Sequence, residues 1–186
     1  PERLQALDKF LENSPNYRGK VVFIQVGAPS RTQIASYQEI NQRIDVLIRS
    51  INDKYGNDSW KPVIPIIRQL APPTLAALRR LANFCVVSSL HDGMNLVAKE
   101  FVASRVDGDG VLILSQFAGA AVELGDALLI NPYAIDEFAR KIKEAIEMPE
   151  AERRRRMKTM REVVANNNIY RWGASTVSKL ISMAGI

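Results

Sequence analysis

Asp92-Gly93-Met94-Asn95-Leu96-Val97-Ala98-Lys99-Glu100 is reached from a short apolar run, Phe84 to Val87, through a polar turn, Ser88 to Gly93. The apolar run reads as a buried strand, and from Met94 the apolar residues Val97, Phe101 and Val102 recur at helical spacing. The turn therefore delivers the chain to a helix N-terminus. There the first backbone N–H groups lack intrahelical partners and the helix dipole adds partial positive charge, so an anion is stabilised. Glu100 lies roughly a turn and a half into the helix, at about 1.5 Å of rise per residue, so Asp92 and Glu100 can border one cleft at two depths. Amides for a diphosphate and carboxylates for sugar hydroxyls suit a sugar nucleotide. The competing reading is that Asp92 only caps the helix and Glu100 is solvated. Spacing alone leaves both open.

Working outward, the pattern alternates strand and helix. Upstream, Pro1 and Glu2 open a helix with Leu4, Leu7, Phe10 and Leu11 on one face. Val21 to Val26 is an apolar, β-branched run, expected as a strand well inside the sheet and covered on both faces. From Ser30, the expected N-cap, Ile34, Tyr37, Ile40, Ile44, Leu47, Ile48 and Ile51 keep helical period to Gly56, the longest helix of the chain. Val63 to Ile67 is a third strand, which Pro65 demotes toward an edge or a bulge. Arg68 to Ala71 is a loop at its C-terminal end, before a helix from Pro72-Pro73 through Leu81. Ligands bind at such strand ends in open parallel sheets.

Downstream, Gly108 to Gly110 turns into a strand over Val111 to Leu114. Phe117 to Leu124 is a helical turn in which Gly119, Ala120 and Ala121 permit close backbone approach. Ala127 to Ile130 is a strand, Ile135 to Ile146 an amphipathic helix, and two more helices follow Pro149 and Asn168. The order predicts an α/β fold, a Rossmann-like doubly wound parallel sheet; a barrel needs about eight such units.

Composition is consistent with this. The chain has 186 residues, 47% hydrophobic and 24% charged, enough for one domain with a sizeable core. Cys85 is the single cysteine and lies in the apolar strand, so it is expected as a packed thiol in a reducing cytoplasm. No apolar run approaches the roughly 20 residues that span a bilayer, so no membrane partner is expected. The net charge of +5 and Arg153-Arg154-Arg155-Arg156 raise nucleic acid as a partner. Glu150 and Glu152 share that segment and no aromatics interleave, so a solvated helix face is preferred and no nucleic acid is expected. His91 is the only histidine, and zinc takes three or four protein ligands, so no metal is expected. There is no P-loop and no dinucleotide glycine motif opening a helix.

The nine residues quoted first, continued by Phe101-Val102-Ala103 and followed by Ser115-Gln116-Phe117-Ala118-Gly119-Ala120-Ala121, resemble the donor-binding signature of trehalose-6-phosphate synthases. The likeness extends from Pro1-Glu2-Arg3-Leu4 through Pro29-Ser30-Arg31 to Asn131-Pro132-Tyr133. Those are retaining glycosyltransferases of the GT-B architecture, with two Rossmann-like domains; glucosylglycerol-phosphate synthases are similar. The resemblance implies that residues 1–186 are a donor-binding domain, the C-terminal half of such an enzyme, lacking the N-terminal acceptor domain and the first strand. It implies UDP-glucose as donor, a phosphorylated sugar or polyol as acceptor (glucose-6-phosphate or glycerol-3-phosphate), no cofactor, and self-association left open. On the residues, it implies that Asn95 and Leu96 amides hold the diphosphate and that Asp92, the catalytic-site acid, meets glucose hydroxyls with the Gly93 and Met94 backbone. Glu100 would take the ribose. Gln69 and Leu70 would offer backbone groups to uracil, although the aromatic common at that place is absent and a plain connecting loop fits as well. His91 stands where many members carry Arg, which alters the charge of the cleft. A binding module without turnover, or a structural protein that has lost donor binding, are the other classes.

Overall fold

The computed structural model describes residues 1–27 and 35–183. Ser30 and Ile34, named above for the start of the long helix, and Pro29 and Arg31 lie outside the described residues. The elements run α1 (Glu2–Asn13), a single 3-10 turn (Pro15–Tyr17), β1 (Phe23–Val26), α2 (Ala35–Tyr55), β2 (Val63–Ile66), α3 (Pro72–Leu81) and β3 (Phe84–Val87). They continue as α4 (Leu96–Ser104), β4 (Val111–Ser115), α5 (Ala120–Glu123), β5 (Leu128–Ile130), α6 (Ile135–Glu147), α7 (Glu150–Asn166) and α8 (Ile169–Met183).

β4 shows why the fold is doubly wound. Every residue from Val111 to Ser115 is buried. Side chains alternate across a strand, so Val111 and Ile113 join a core with Leu4, Leu7, Phe10 and Leu11 of α1 and Phe138 and Ile142 of α6. Leu112 and Leu114 join a second core with Phe101 and Val102 of α4 and Met157 and Met160 of α7. Each such side chain contributes about 1.5 to 3 kcal/mol by burial. A strand covered on both faces needs apolar residues at every position, which is what the unbroken run supplies.

All strand pairs are parallel, but they fall into two pieces, β1–β2 and β3–β4–β5. This corrects the expected place of the first apolar run. Among the described residues β1 pairs only with β2, with Pro65 facing Gln25, and β3 pairs only with β4. Within the described residues β1 is therefore an edge. Its Phe23 packs with Val21 and Val63 on the α1 core, whereas Ile24, Val26 and Ile64 on the second face are exposed. A strand paired on one side and covered by one helical layer has nothing to shield its other face.

The arginine run is taken up in ion pairs. Arg153 holds Asp109, Arg154 holds Glu150, Arg155 holds Glu152 and Asp126, and Arg156 holds Glu152. It thus fastens α7 to the turn before β4 and to Asp126. α8 has no buried residue, and Ile169, Tyr170, Trp172, Val177 and Leu180 are exposed along it. No helix among the described residues is long and apolar enough to cross a membrane.

Candidate functional site

The site forms where β3 hands the chain to α4. Asn95, at φ 74°, is the N-cap, and its Oδ1 accepts from the Ala98 N–H at 3.0 Å. Asparagine tolerates this left-handed conformation better than most residues, and its short amide reaches the third helical N–H. The helix therefore starts at Leu96 rather than at Met94, and the reading of Asp92 as the cap is overturned. Asp92 closes the turn instead. Its Oδ1 accepts from the Met94 N–H at 3.1 Å, and its Oδ2 accepts from Asn95 Nδ2 at 2.9 Å. The Asn95 amide nitrogen also donates to Ser89 Oγ at 3.2 Å. These hydrogen bonds, the Met94 N–H first, hold the Asp92 carboxyl below the usual carboxylate range.

A second loop clamps this turn from behind. The Asp92 N–H donates to the Phe117 carbonyl at 3.2 Å, the Gly119 N–H to the Asp92 carbonyl at 2.8 Å, and the Ala120 N–H to the Met94 carbonyl at 2.7 Å. Asp92 and Ala118 form an isolated parallel bridge. The close approach expected at Gly119 is present: a Cβ there would lie 2.1 Å from the Gly93 carbonyl oxygen. The two stretches that the sequence resemblance joined are thus one structural unit.

The outward side of the turn carries exposed residues and two helical N–H groups that no described acceptor takes up. Gly93, Met94 and Leu96 are exposed and Asn95 is half-buried. Among the described residues the Leu96 and Val97 N–H groups have no acceptor, as the first two helical positions dictate, while the Asn95 N–H is turned toward the Asp92 carboxylate. Glu100 is exposed one turn further along and forms an ion pair with Arg79, on the last turn of α3, at 2.5 Å. Lys99 Nζ donates to Glu123 at 2.7 Å, which fixes α4 from the other side. Gln69 is exposed and Leu70 half-buried in the loop between β2 and α3, and among the described residues no hydrogen bond joins either to the turn. His91 is exposed in the loop. Arg79, Ser89 and the Val97 amide were not reachable from sequence spacing, since Arg79 meets Glu100 only because α3 packs on α4. Burial pushes the Cys85 thiol up to about 11, so it is no nucleophile at neutral pH. Among the described residues no three His, Cys, Asp or Glu side chains gather as metal ligands.

The sequence model of glycosyltransferase family 20 matches residues 1–182. The bifunctional trehalose-6-phosphate synthase/phosphatase of Thermoproteus tenax is 43% identical over 180 residues, 97% of this chain and 25% of that protein. An E. coli structure described as bound with UDP-2-fluoro glucose superposes with a TM-score of 0.94 at 39% identity, over 97% of this chain and 40% of that one. A UDP-forming α,α-trehalose-phosphate synthase from Burkholderia xenovorans in complex with glucose-6-phosphate gives a TM-score of 0.93 at 39% identity, over 96% of this chain and 40% of that one. The chain spans well under half the length of these relatives.

Proposed function

The chain belongs to glycosyltransferase family 20, with the fold of the GT-B trehalose-phosphate synthases, and from that premise we propose that it is the donor-binding half of a retaining trehalose-6-phosphate synthase. It holds UDP-glucose at the N-terminus of α4 for glucosyl transfer to glucose-6-phosphate. The observation that carries the reading is the pair of acceptor-free amides, Leu96 and Val97, beside an exposed Glu100 on a helix whose start is locked by Asn95 and the loop through Gly119. Fixed N–H dipoles aimed at a departing diphosphate stabilise the charge that develops there without reorganising. Asp92 spends part of its carboxylate on Met94 and Asn95; its remaining lone pairs, with the Gly93 and Met94 backbone, meet the glucose hydroxyls. Asn95 serves as cap more than as phosphate ligand. Gln69 and Leu70 offer the base-binding backbone. The sugar carbon reacts with retention and without a protein nucleophile.

In this proposal an N-terminal acceptor domain completes the enzyme, and one further parallel strand lies between β1 and β3. Support comes from the sides of β1 and β3 that no strand pairs among the described residues, from Ile24, Val26 and Ile64 exposed on the face of the β1–β2 pair, and from the exposed apolar residues of α8. Catalysis needs donor and acceptor positioned in one closed site, so the 186 residues alone transfer no glucose. The test is calorimetry with UDP-glucose on the full-length protein, followed by turnover with glucose-6-phosphate and, separately, glycerol-3-phosphate. Turnover with glucose-6-phosphate supports the proposal. Turnover with glycerol-3-phosphate alone makes it a glucosylglycerol-phosphate synthase, binding without turnover makes it a binding module, and no binding overturns it.

A further inference from the structure

We infer that Arg79 is a positioning residue for the donor nucleotide, holding the Glu100 carboxylate in the orientation in which it receives the two ribose hydroxyls. The inference rests on the reading of Glu100 given above. Arg79 Nη2 donates to Glu100 Oε2 at 2.5 Å, and the arginine side chain is 18% exposed against 51% for the glutamate. The cation therefore sits inside and the carboxylate keeps an open outer side. A carboxylate offers about four lone-pair positions on two oxygens, and this bond occupies one. Oε1 remains for two vicinal hydroxyls.

Arg79 is itself held by the helix it serves. Arg105, which follows α4 directly and is 5% exposed, sends Nη1 to the carbonyls of Arg79, Arg80 and Ala82 at 3.1, 2.7 and 2.6 Å. Its Nη2 donates to Asp107 at 2.9 Å and its Nε to the Asp109 carbonyl. α4 thus anchors the last turn of α3 at one point and receives that turn's arginine on Glu100 at another. A glutamate without such a partner on a helix surface loses rotamer freedom when a ligand orders it. Here that loss precedes binding. A partly exposed ion pair contributes little to folding stability, so its effect belongs in recognition of the ribose.

The experiment measures UDP and 2′-deoxy-UDP binding by calorimetry in the full-length protein and in Arg79→Met, Arg79→Lys and Glu100→Gln. UDP should bind roughly tenfold more tightly than its 2′-deoxy analogue in the parent protein. Arg79→Met should narrow that ratio to roughly threefold with an unchanged melting temperature, and Arg79→Lys should restore most of it. A ratio that survives Arg79→Met but is lost in Glu100→Gln overturns this inference alone. A ratio that survives Glu100→Gln overturns the reading of Glu100 and this inference with it. Tighter UDP binding in Arg79→Met also overturns it, because the arginine would then compete with the nucleotide.

Discussion

Replacing Gly119 by alanine should damage both the fold and the site, for a reason that the backbone conformation does not supply. Gly119 sits at φ −57° and ψ −31°, where alanine is unstrained. Space is what fails. The added Cβ would lie 2.1 Å from the Gly93 oxygen and 2.7 Å from its carbon, both fixed backbone atoms. Reaching an ordinary contact requires the two loops to part by about 1 Å. The bonds from Gly119 to Asp92 and from Ala120 to Met94, at 2.8 and 2.7 Å, would then stretch beyond hydrogen-bonding range. Two such bonds at about 0.5 to 1.5 kcal/mol each, with overpacking strain of about 1 to 3, give roughly 2 to 4 kcal/mol once relaxation is allowed for. In a chain of 186 residues that lowers the melting temperature by about 5 to 12 °C. In the full-length protein a displacement of about 1 Å at the α4 N-terminus should also weaken UDP binding and lower UDP-glucose turnover, the latter by up to about a hundredfold. Differential scanning calorimetry of the chain, with UDP calorimetry and a turnover assay on the full-length protein, reads these effects. Gly125→Ala is the control, since nothing lies within 4 Å of its added Cβ. A Gly119→Ala protein with the parent's melting temperature and UDP affinity would show that the loop through Gly119 does not hold the donor turn.

Arg105→Met should cost about 3 to 5 kcal/mol in urea unfolding, because it strands the carbonyls of Arg79, Arg80, Ala82 and Asp109 around a buried gap; a loss under 1 kcal/mol would refute that role. The Arg153 guanidinium holds the Asp109 carboxyl at about 2 rather than the usual 3.8. With a folded-state value below the unfolded one, the stabilisation is complete above about pH 4 and is lost as pH falls toward about 2. Melting curves over that interval should flatten in Asp109→Asn, and an unchanged slope would refute the coupling. Phe23 and Gly27 donate toward β2, so by strand alternation the Ile24 and Val26 amides point to the free edge. Their hydrogen exchange should be fast in the 186-residue chain and slow by several orders of magnitude in the full-length protein; fast exchange in both would leave the proposed strand between β1 and β3 without support.

The elements were legible because each strand is a short apolar run and helices such as α1 and α6 carry a clean apolar stripe. Leu4, Leu7, Phe10 and Leu11 recur at helical spacing and are all buried on one face of α1. Pro72-Pro73 and Leu81 bound α3 as the proline rule predicts. Neighbourhood in the sheet was not legible. Val21 to Val26 has the composition of a central strand; composition reports the face a strand presents, not which strand lies beside it, and among the described residues only β2 does. Pro65 was informative because a missing N–H is a property of one residue and needs no knowledge of partners.

At the site the same distinction decides what could be read. Helix period and an acid before it suggested either a cap or a ligand at Asp92, as if those were alternatives for one side chain. The structure divides the work between two residues. Asn95 takes the cap, because only a residue comfortable at φ 74° can turn the chain into α4 there. Asp92 is thereby released from the helix and used to brace Met94 and Asn95 from outside. A carboxylate held by a backbone N–H and a side-chain amide is fixed in direction before any substrate arrives, with its own carbonyl clamped by Gly119. Pre-organisation of that kind is what a transition-state contact requires and a solvated cap does not provide. The bracing of Asp92 therefore favours the proposed contact with the glucose hydroxyls over a plain capping role.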